Sequence, residues 1–477
     1  MTFGSNSSAL CFATLTLAAC ATVPPPPMAP EPLPRAGQFL NAENEAIEAD
    51  VSAADWWQRF EDPILIQLVE TALAENKDLA VARANIDIAR AILASETLER
   101  SPATSTTAAA DVGRATREGA DTELTASGRL GATWEIDLFD RIESEIQSAA
   151  FSLQQARELR RDTAVTIASE TALAYVDLRG NQVRLSVAQS NADLQGESVD
   201  LLRVLFENGR ATRLDLERAE SQYRTTLASL PLFQANIRTS AIRLSVLTGQ
   251  SDFSTSDAWA LTVEAVPIIP APPASLNIGT PDALIRRRPD IRAAEADIAS
   301  RFALGAADRA RLFPTLTFNA DLLALFTENI DLEDSFGFAI GPAISWEGPD
   351  LRRVEADIEI SDAQTRAAFA VYENAVINAL AEVETALIAY GQEQVRREDL
   401  EAAAIAAQRA FELARLRFDE GLDDFLDVID AQRTLLDAQD RVENNKLEAT
   451  RQAISTYRAL GGIWQDEAFA DRSAEGE

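Results

Sequence analysis

A shift of 212 residues lays this chain over itself without a gap. Asp78 falls on Asp290, Pro102 on Pro314, Trp134 and Glu135 on Trp346 and Glu347, and Arg141 on Arg353. Further along, Phe206 meets Phe418, Gly209 meets Gly421, Asp215 meets Asp427, Ala219 meets Ala431 and Gly249 meets Gly461. Each pair gives the same difference (290 − 78, 314 − 102, 421 − 209). Solenoid repeats run roughly 20–50 residues, so a period this long marks a duplicated domain instead. Two near-identical halves should pack as quasi-equivalent partners in one interlocked body.

Composition removes several functions. The 477 residues contain no His and two Cys, and carry a formal charge of −33. Without His, the commonest general base and the commonest metal ligand are both absent, and no nucleophile–base set or metal cluster stands out. No cofactor is expected, and the chain is not expected to be an enzyme. The acidity argues against nucleic acid as a partner, because no basic face is available to neutralise phosphates. Solvated helix faces would account for the acidity; an aqueous lumen favouring cations would also use it.

The N-terminus reads as an export signal. A mostly apolar run from Leu10 to Ala19 ends in Leu17-Ala18-Ala19-Cys20, a small-residue cleavage pattern directly before a cysteine. Met1 to Ser8 departs from the usual pattern in having no Lys or Arg. Pro24 to Pro34 follows, opening with four consecutive prolines, and such a segment is extended and semi-rigid. No segment reaches the roughly 20 apolar residues of a transmembrane helix. Any membrane crossing must be made by strands.

Strand patterning is clearest in the second copy. Leu316, Phe318, Ala320 and Leu322 alternate with Thr315, Thr317, Asn319 and Asp321. After an acidic loop, Phe336, Phe338, Ile340, Ile344 and Trp346 share one face, with Gly337, Ala339, Gly341, Ala343 and Ser345 on the other. This is the apolar-out, polar-in code of an outer-membrane barrel strand. The first copy keeps the parity more weakly through Ala108, Ala110, Val112, Leu124, Leu130, Ala132 and Trp134. Four strands cannot close a membrane barrel, whose lower limit is about eight. Open edges facing lipid would leave backbone groups unpaired, so membrane strands here require an oligomer with a shared barrel.

The remainder is predicted to be helix of unusual length. Asp350 to Glu420 holds no proline and one glycine, Gly391, which amounts to about 70 residues, or on the order of 100 Å. Arg141 to Asn208 matches it, interrupted by Gly180 and Gly196 alone. Val428, Ala431, Leu435, Ala438 and Val442 then repeat at 3-4-3-4 spacing, a coiled-coil seam. Gly209 and Gly421 sit where each helical hairpin must reverse, supplying the left-handed residue that ends a helix. Thr212 and Asp424 are candidate N-caps for the returning helices.

Several strings together resemble the outer-membrane efflux proteins of the TolC/OprM type, in their NodT-like lipoprotein branch. They are Asp55-Trp56-Trp57-Gln58-Arg59-Phe60-Glu61-Asp62-Pro63, Asn76-Lys77-Asp78-Leu79, and Trp134 through Arg141. Arg287 through Glu295 and Gly421 through Gln432 complete the set, in order over nearly the whole chain. The resemblance implies a mainly α fold with a membrane β-barrel. Each chain would give a long coiled-coil helical barrel and four strands, and a homotrimer would share one 12-strand barrel. Leu17 through Cys20 resembles a lipobox, which makes Cys20 the lipidation site, and Ala21 then implies sorting to the outer membrane.

The implied organisation is a signal peptide at 1–19, a lipidated cysteine and proline-rich linker at 20–36, and a first repeat at 37–249. An equatorial connector at 250–285, a second repeat at 286–464 and an acidic tail at 465–477 complete it. The strand hairpins are expected at about 103–138 and 314–347. The implied function is a passive exit duct of a tripartite efflux pump for small molecules. It would sit in outer-membrane lipid with its helices in the periplasm, meeting a periplasmic adaptor protein and an inner-membrane transporter. A duct for polypeptide secretion and a non-pore lipoprotein scaffold are the alternatives. Nothing in the sequence names the cargo.

The resemblance also implies a periplasmic gate of carboxylates near the hairpin tips. The matching positions are Asp427 and Asp430, with Asp215 as the first-copy equivalent of Asp427 and Arg218 in place of Asp430. In some members a basic residue two positions after the second glycine ties the aperture shut, but Asp423 stands there. Arg210 and Arg213 are expected to supply a reversed latch against Asp423 or Asp424.

Overall fold

The computed structural model describes residues 39–41, 47–48, 55–114, 122–253, 260–261, 267–273, 275–327 and 335–462. The expected signal, linker, Cys20 and acidic tail lie outside these residues. The first half contains α1 (Pro63–Glu75), α2 (Lys77–Leu98), β2 (Ala103–Arg114), β3 (Thr122–Ile136), α3 (Arg141–Glu207) and α4 (Arg213–Leu247). The second repeats the order as α5 (Pro281–Arg287), α6 (Pro289–Ala310), β5 (Thr315–Thr327), β6 (Phe336–Ser345), α7 (Arg352–Asp419) and α8 (Phe425–Ala459). The bounds of α2 and α6, and of α4 and α8, differ by the sequence period itself (289 − 77, 425 − 213). A short 3-10 helix, Trp56–Phe60, precedes α1. One pairing had no sequence signal: β1 (Ile47–Glu48) runs parallel to β4 (Leu276–Asn277).

The chain forms two compact units, one of which contains Asn85–Ala156 and Ala293–Tyr372. It is built on a four-stranded antiparallel sheet in the order β2-β3-β5-β6. Leu130 pairs with Leu322, and Leu322 with Phe338, so even-numbered residues share one face as the alternation predicts. On that face Phe336, Phe338, Ile340 and Ile344 are exposed. Among the described residues no helix is long and apolar enough to cross a membrane. The base of the sheet is tied down twice. Trp134 Nε1 donates to the Arg100 carbonyl at 3.0 Å, and Trp346 Nε1 to the Leu312 carbonyl at 3.1 Å, pairs related by the repeat. The carboxylates below them also repeat, but their cation does not. Arg141 binds Glu135 and Glu145, whereas Arg311 binds the equivalent Glu347 and Asp357.

The other unit contains the described residues within 33–84, 157–292 and 373–477. Helices α3 and α7 run for 67 and 68 residues, unbroken by Gly180, Gly196 or Gly391. At Gly180 the missing side chain lets Leu447 of α8 approach, since a Cβ there would lie 2.7 Å from Leu447 Cδ1. The ends of α4 and α8 are fastened at equivalent positions by different side chains. Asn76 Nδ2 donates to the Leu247 carbonyl at 2.9 Å, and Arg288 Nη1 to the Ala459 carbonyl at 2.8 Å. Arg288 also grips Asp290 and Glu382, both at 2.7 Å. Trp56 is fully buried and stacks on Tyr457, ring centroids 5.4 Å apart.

Candidate functional site

Both helical hairpins reverse through the same backbone device. Gly209 and Gly421 hold φ of 70° and 73°. Their N–H groups donate to the carbonyls of Phe206 and Phe418, and the next residues, Arg210 and Leu422, donate to Leu205 and Arg417. This paired bonding satisfies the last carbonyls of α3 and α7. Beneath the tips lies an apolar cluster of Val199, Leu202, Phe411, Phe425, Val428 and Leu435, with Ala431 and Ala438 packed against it. Four of the five predicted seam residues of α8, Val428, Ala431, Leu435 and Ala438, therefore face the core of the tips. Phe418 meets Phe425 edge-on at 4.8 Å, fixing the reversal of the second hairpin.

The two tips differ in how their returning helices begin. At the first, Thr212 forms a capping box: its hydroxyl oxygen accepts from the Asp215 N–H, and Asp215 Oδ2 accepts from the Thr212 N–H, both at 3.2 Å. Asp215 is thus held by its own helix start. At the second tip the corresponding pair is Asp424 and Asp427. Asp424 occupies the N-cap as expected but makes no side-chain cap bond. Two carboxylates in a capping box would place like charges together, which explains why that exchange is lost.

Asp423 instead closes on Arg417, in the last turn of α7. Arg417 Nη2 donates to Asp423 Oδ1 at 2.8 Å, and Nε donates to Oδ2. These hydrogen bonds hold the Asp423 carboxyl below the usual carboxylate range and push the Arg417 guanidinium up. A depressed carboxyl contributes stability that is present above its unfolded value, near pH 4, and lost as pH falls through its lower folded value. The brace therefore stays closed at neutral and mildly acidic pH.

The expected reversed latch is not made within the chain. Asp423 has taken Arg417, which lies on its own hairpin and within easy reach, and Arg213 lies 3.4 Å from Glu217. Among the described residues Arg210 and Asp424 enter no ion pair. Sequence reasoning missed Arg417. Its signal was available: the repeat places Leu205 at its first-copy position and Ala211 at that of Asp423, so both members of the brace are mismatches between copies.

Asp427 and Asp430 are exposed, while Val428 and Ile429 between them are buried and orient that stretch of α8. Asp430 has one weak partner, Arg433 at 3.5 Å with an exposed side chain. Asp427 has no ion pair among the described residues, although its charge acts on Arg417. Two carboxylates three positions apart on one helix face are thus left open to solvent beside a braced turn.

The outer membrane efflux protein family profile matches residues 68–250 and 280–462, two stretches offset by the internal period (280 − 68, 462 − 250). Nodulation protein T of Rhizobium leguminosarum bv. trifolii is 29% identical over 432 residues, covering 89% of this chain and 90% of that protein. The toluene efflux pump outer membrane protein TtgF of Pseudomonas putida is 28% identical over 433 residues, covering 86% of both. Among solved structures, the outer-membrane channel OprN superposes with a TM-score of 0.83 at 33% identity, covering 93% of this chain and all of that one. The CmeC channel of Campylobacter jejuni shares the fold at a TM-score of 0.82 and 18% identity, covering 92% of this chain and 95% of that one. A duplicated helical hairpin, a duplicated strand hairpin and a family match over both copies agree, and the chain belongs to the outer membrane efflux protein family.

Proposed function

We propose that this chain is the passive exit duct of a tripartite efflux pump, carrying small molecules across the outer membrane as a homotrimer. A periplasmic adaptor and an inner-membrane transporter would complete the pump, with Cys20 as the lipid anchor. The energy comes from the transporter, and the duct itself performs no chemistry. The observation that carries this reading is the four-stranded sheet, apolar on one face, with β2 and β6 as its edges. Such edges are costly in lipid until another strand pairs with them. The relative named for toluene efflux favours small molecules over polypeptides as cargo. Purified protein in a planar lipid bilayer should produce discrete channel conductance. A silent bilayer would favour the scaffold reading instead.

The internal repeat supports a specific register for strand pairing between subunits. Inside the chain Gly131 stands opposite Asp321. If the pairing between subunits follows the same period, adding it to one strand and subtracting it from the other would bring Ala343 of β6 opposite Ala109 of β2 in the next subunit. Directly opposed Cα atoms in antiparallel strands lie about 4.5–5.5 Å apart, within disulfide reach. Ala343→Cys combined with Ala109→Cys should give covalent trimers under oxidising conditions. Moving the second cysteine to Ala108 turns it to the other face and should abolish the link. Cross-linking that prefers position 108 would refute the register.

A further inference from the structure

The polar face of the sheet is mostly small and neutral, with Ser105, Thr107, Ser127, Thr133 and Gly341 among its residues. Arg129 is the one cation on that face among the strand residues whose side chains are described. Its guanidinium closes on Asp321 of the neighbouring strand by two bonds, Nε to Oδ1 at 2.8 Å and Nη2 to Oδ2 at 2.9 Å. Such two-pronged pairs fix orientation as well as charge. The residues are not directly opposed. Arg129 faces Leu323 and Asp321 faces Gly131, so the arginine lies diagonally along the sheet.

Gly131 makes the arrangement possible. A Cβ at that position would lie 2.8 Å from Asp321 Oδ1 and 3.1 Å from Ser105 Oγ. The carboxylate therefore rests in the space a side chain would fill, with its side chain only 16% exposed against 57% for Arg129. The pair is absent from the repeat: the period places Gly341 at the position of Arg129 and Ala109 at that of Asp321. The duplication supplied the wall, and this one seam acquired opposite charges.

We propose that the Arg129–Asp321 pair is a selectivity element of the barrel lumen, in which Asp321 holds the guanidinium along the wall and cancels its charge. The inference rests on the exit-duct reading, in which the polar face lines the pore and a trimer carries three such pairs. Freed of Asp321, three arginines would project fixed positive charge into the pore, concentrating anions and repelling cations. Freed of Arg129, three carboxylates would do the reverse.

The test is the reversal potential of the purified full-length protein in planar bilayers under a KCl gradient. Asp321→Asn should lower the potassium-to-chloride permeability ratio by about two- to sevenfold, the range for three unit charges roughly 10 Å from a water-filled axis with partial screening. Arg129→Gln should raise the ratio. The double variant should return it to the wild-type value, as should the exchange of Arg129→Asp with Asp321→Arg, which keeps an ion pair at the seam. An unchanged ratio in Asp321→Asn, or a double variant that keeps the shift of either single change, would overturn the proposal. Wild-type protein that forms no channels would sink the duct reading itself, whereas channels of normal conductance with unchanged selectivity would sink only the pair.

Discussion

Gly249→Ala should destabilise the protein far more than Gly209→Ala, although both glycines hold almost the same left-handed backbone, at φ of 73° and 70°. Each ends a long helix through the same paired bonding; for α4 the Gly249 N–H donates to the Val246 carbonyl and the Gln250 N–H to the Ser245 carbonyl. An alanine in this conformation costs roughly 1–2 kcal/mol from backbone sterics alone. At Gly209 nothing lies within 4 Å of the added methyl, so that cost is the whole effect. At Gly249 the methyl would lie 2.6 Å from the Glu75 carbonyl oxygen and 3.2 Å from its carbon. Those are backbone atoms at the end of α1. They cannot move aside, because the adjacent Asn76 ties that corner to α4 through the Leu247 carbonyl and starts α2 by accepting from Asp78 N and Leu79 N. Overpacking against fixed atoms adds about 1–3 kcal/mol.

The expected total is therefore about 2–5 kcal/mol for Gly249→Ala, two- to threefold more than for Gly209→Ala. Gly461→Ala should behave like Gly249→Ala, since its methyl would meet Arg288 Cγ at 2.8 Å and Cα at 3.2 Å. Thermal melts of the detergent-solubilised protein, followed by circular dichroism, would rank the three variants. Equal shifts for Gly209→Ala and Gly249→Ala would show that backbone strain alone matters and that the corner is soft.

Much of this architecture is written locally, which is why it can be read from the chain. A period-2 pattern sets the strands, a proline-free run sets the long helices, and Gly209 and Gly421 end them by bonds to residues a few positions back. Thr212 was legible as an N-cap for the same reason, and its partner Asp215 lies only three positions on. What could not be read depends on which distant group reaches a side chain first. Asn76 and Arg288 occupy the same place in the repeat and fasten the same helix end, yet nothing local says that an amide and a guanidinium would do one task. The pairing of Ile47 with Leu276 brings together residues far apart in sequence with no pattern on either side. Asp424 shows where the two kinds of information part. Its position as N-cap was legible, but its bond was lost to the charge of Asp427 three residues on, a conflict visible only when both are treated as ions. Arg417 was not legible as a partner because it sits on the last turn of α7 and reaches Asp423 across the whole reversal, six positions on.

Replacing Asp427 and Asp430 together by alanine should relieve block of the channel by divalent cations. These carboxylates stand exposed on one face of α8, with Val428 and Ile429 anchored in the apolar cluster. The Arg417–Asp423 brace and the Phe418–Phe425 contact both hold the turn that leads into that face. In the proposed trimer six such groups would converge on the axis. Each would attract a divalent ion with an energy that falls only as the inverse of distance, and water-filled space screens it incompletely over the few ångströms involved. At least a tenfold rise in the half-blocking concentration is the expected outcome, on the order given by losing two close carboxylates per subunit. Asp215→Ala provides the contrast. That carboxylate is spent on the Thr212 cap, so its loss should cost about 1 kcal/mol of helix stability and leave block largely unaltered. Block that survives the double change, or that falls as far in Asp215→Ala, would remove the aperture from α8 and place it elsewhere along the duct.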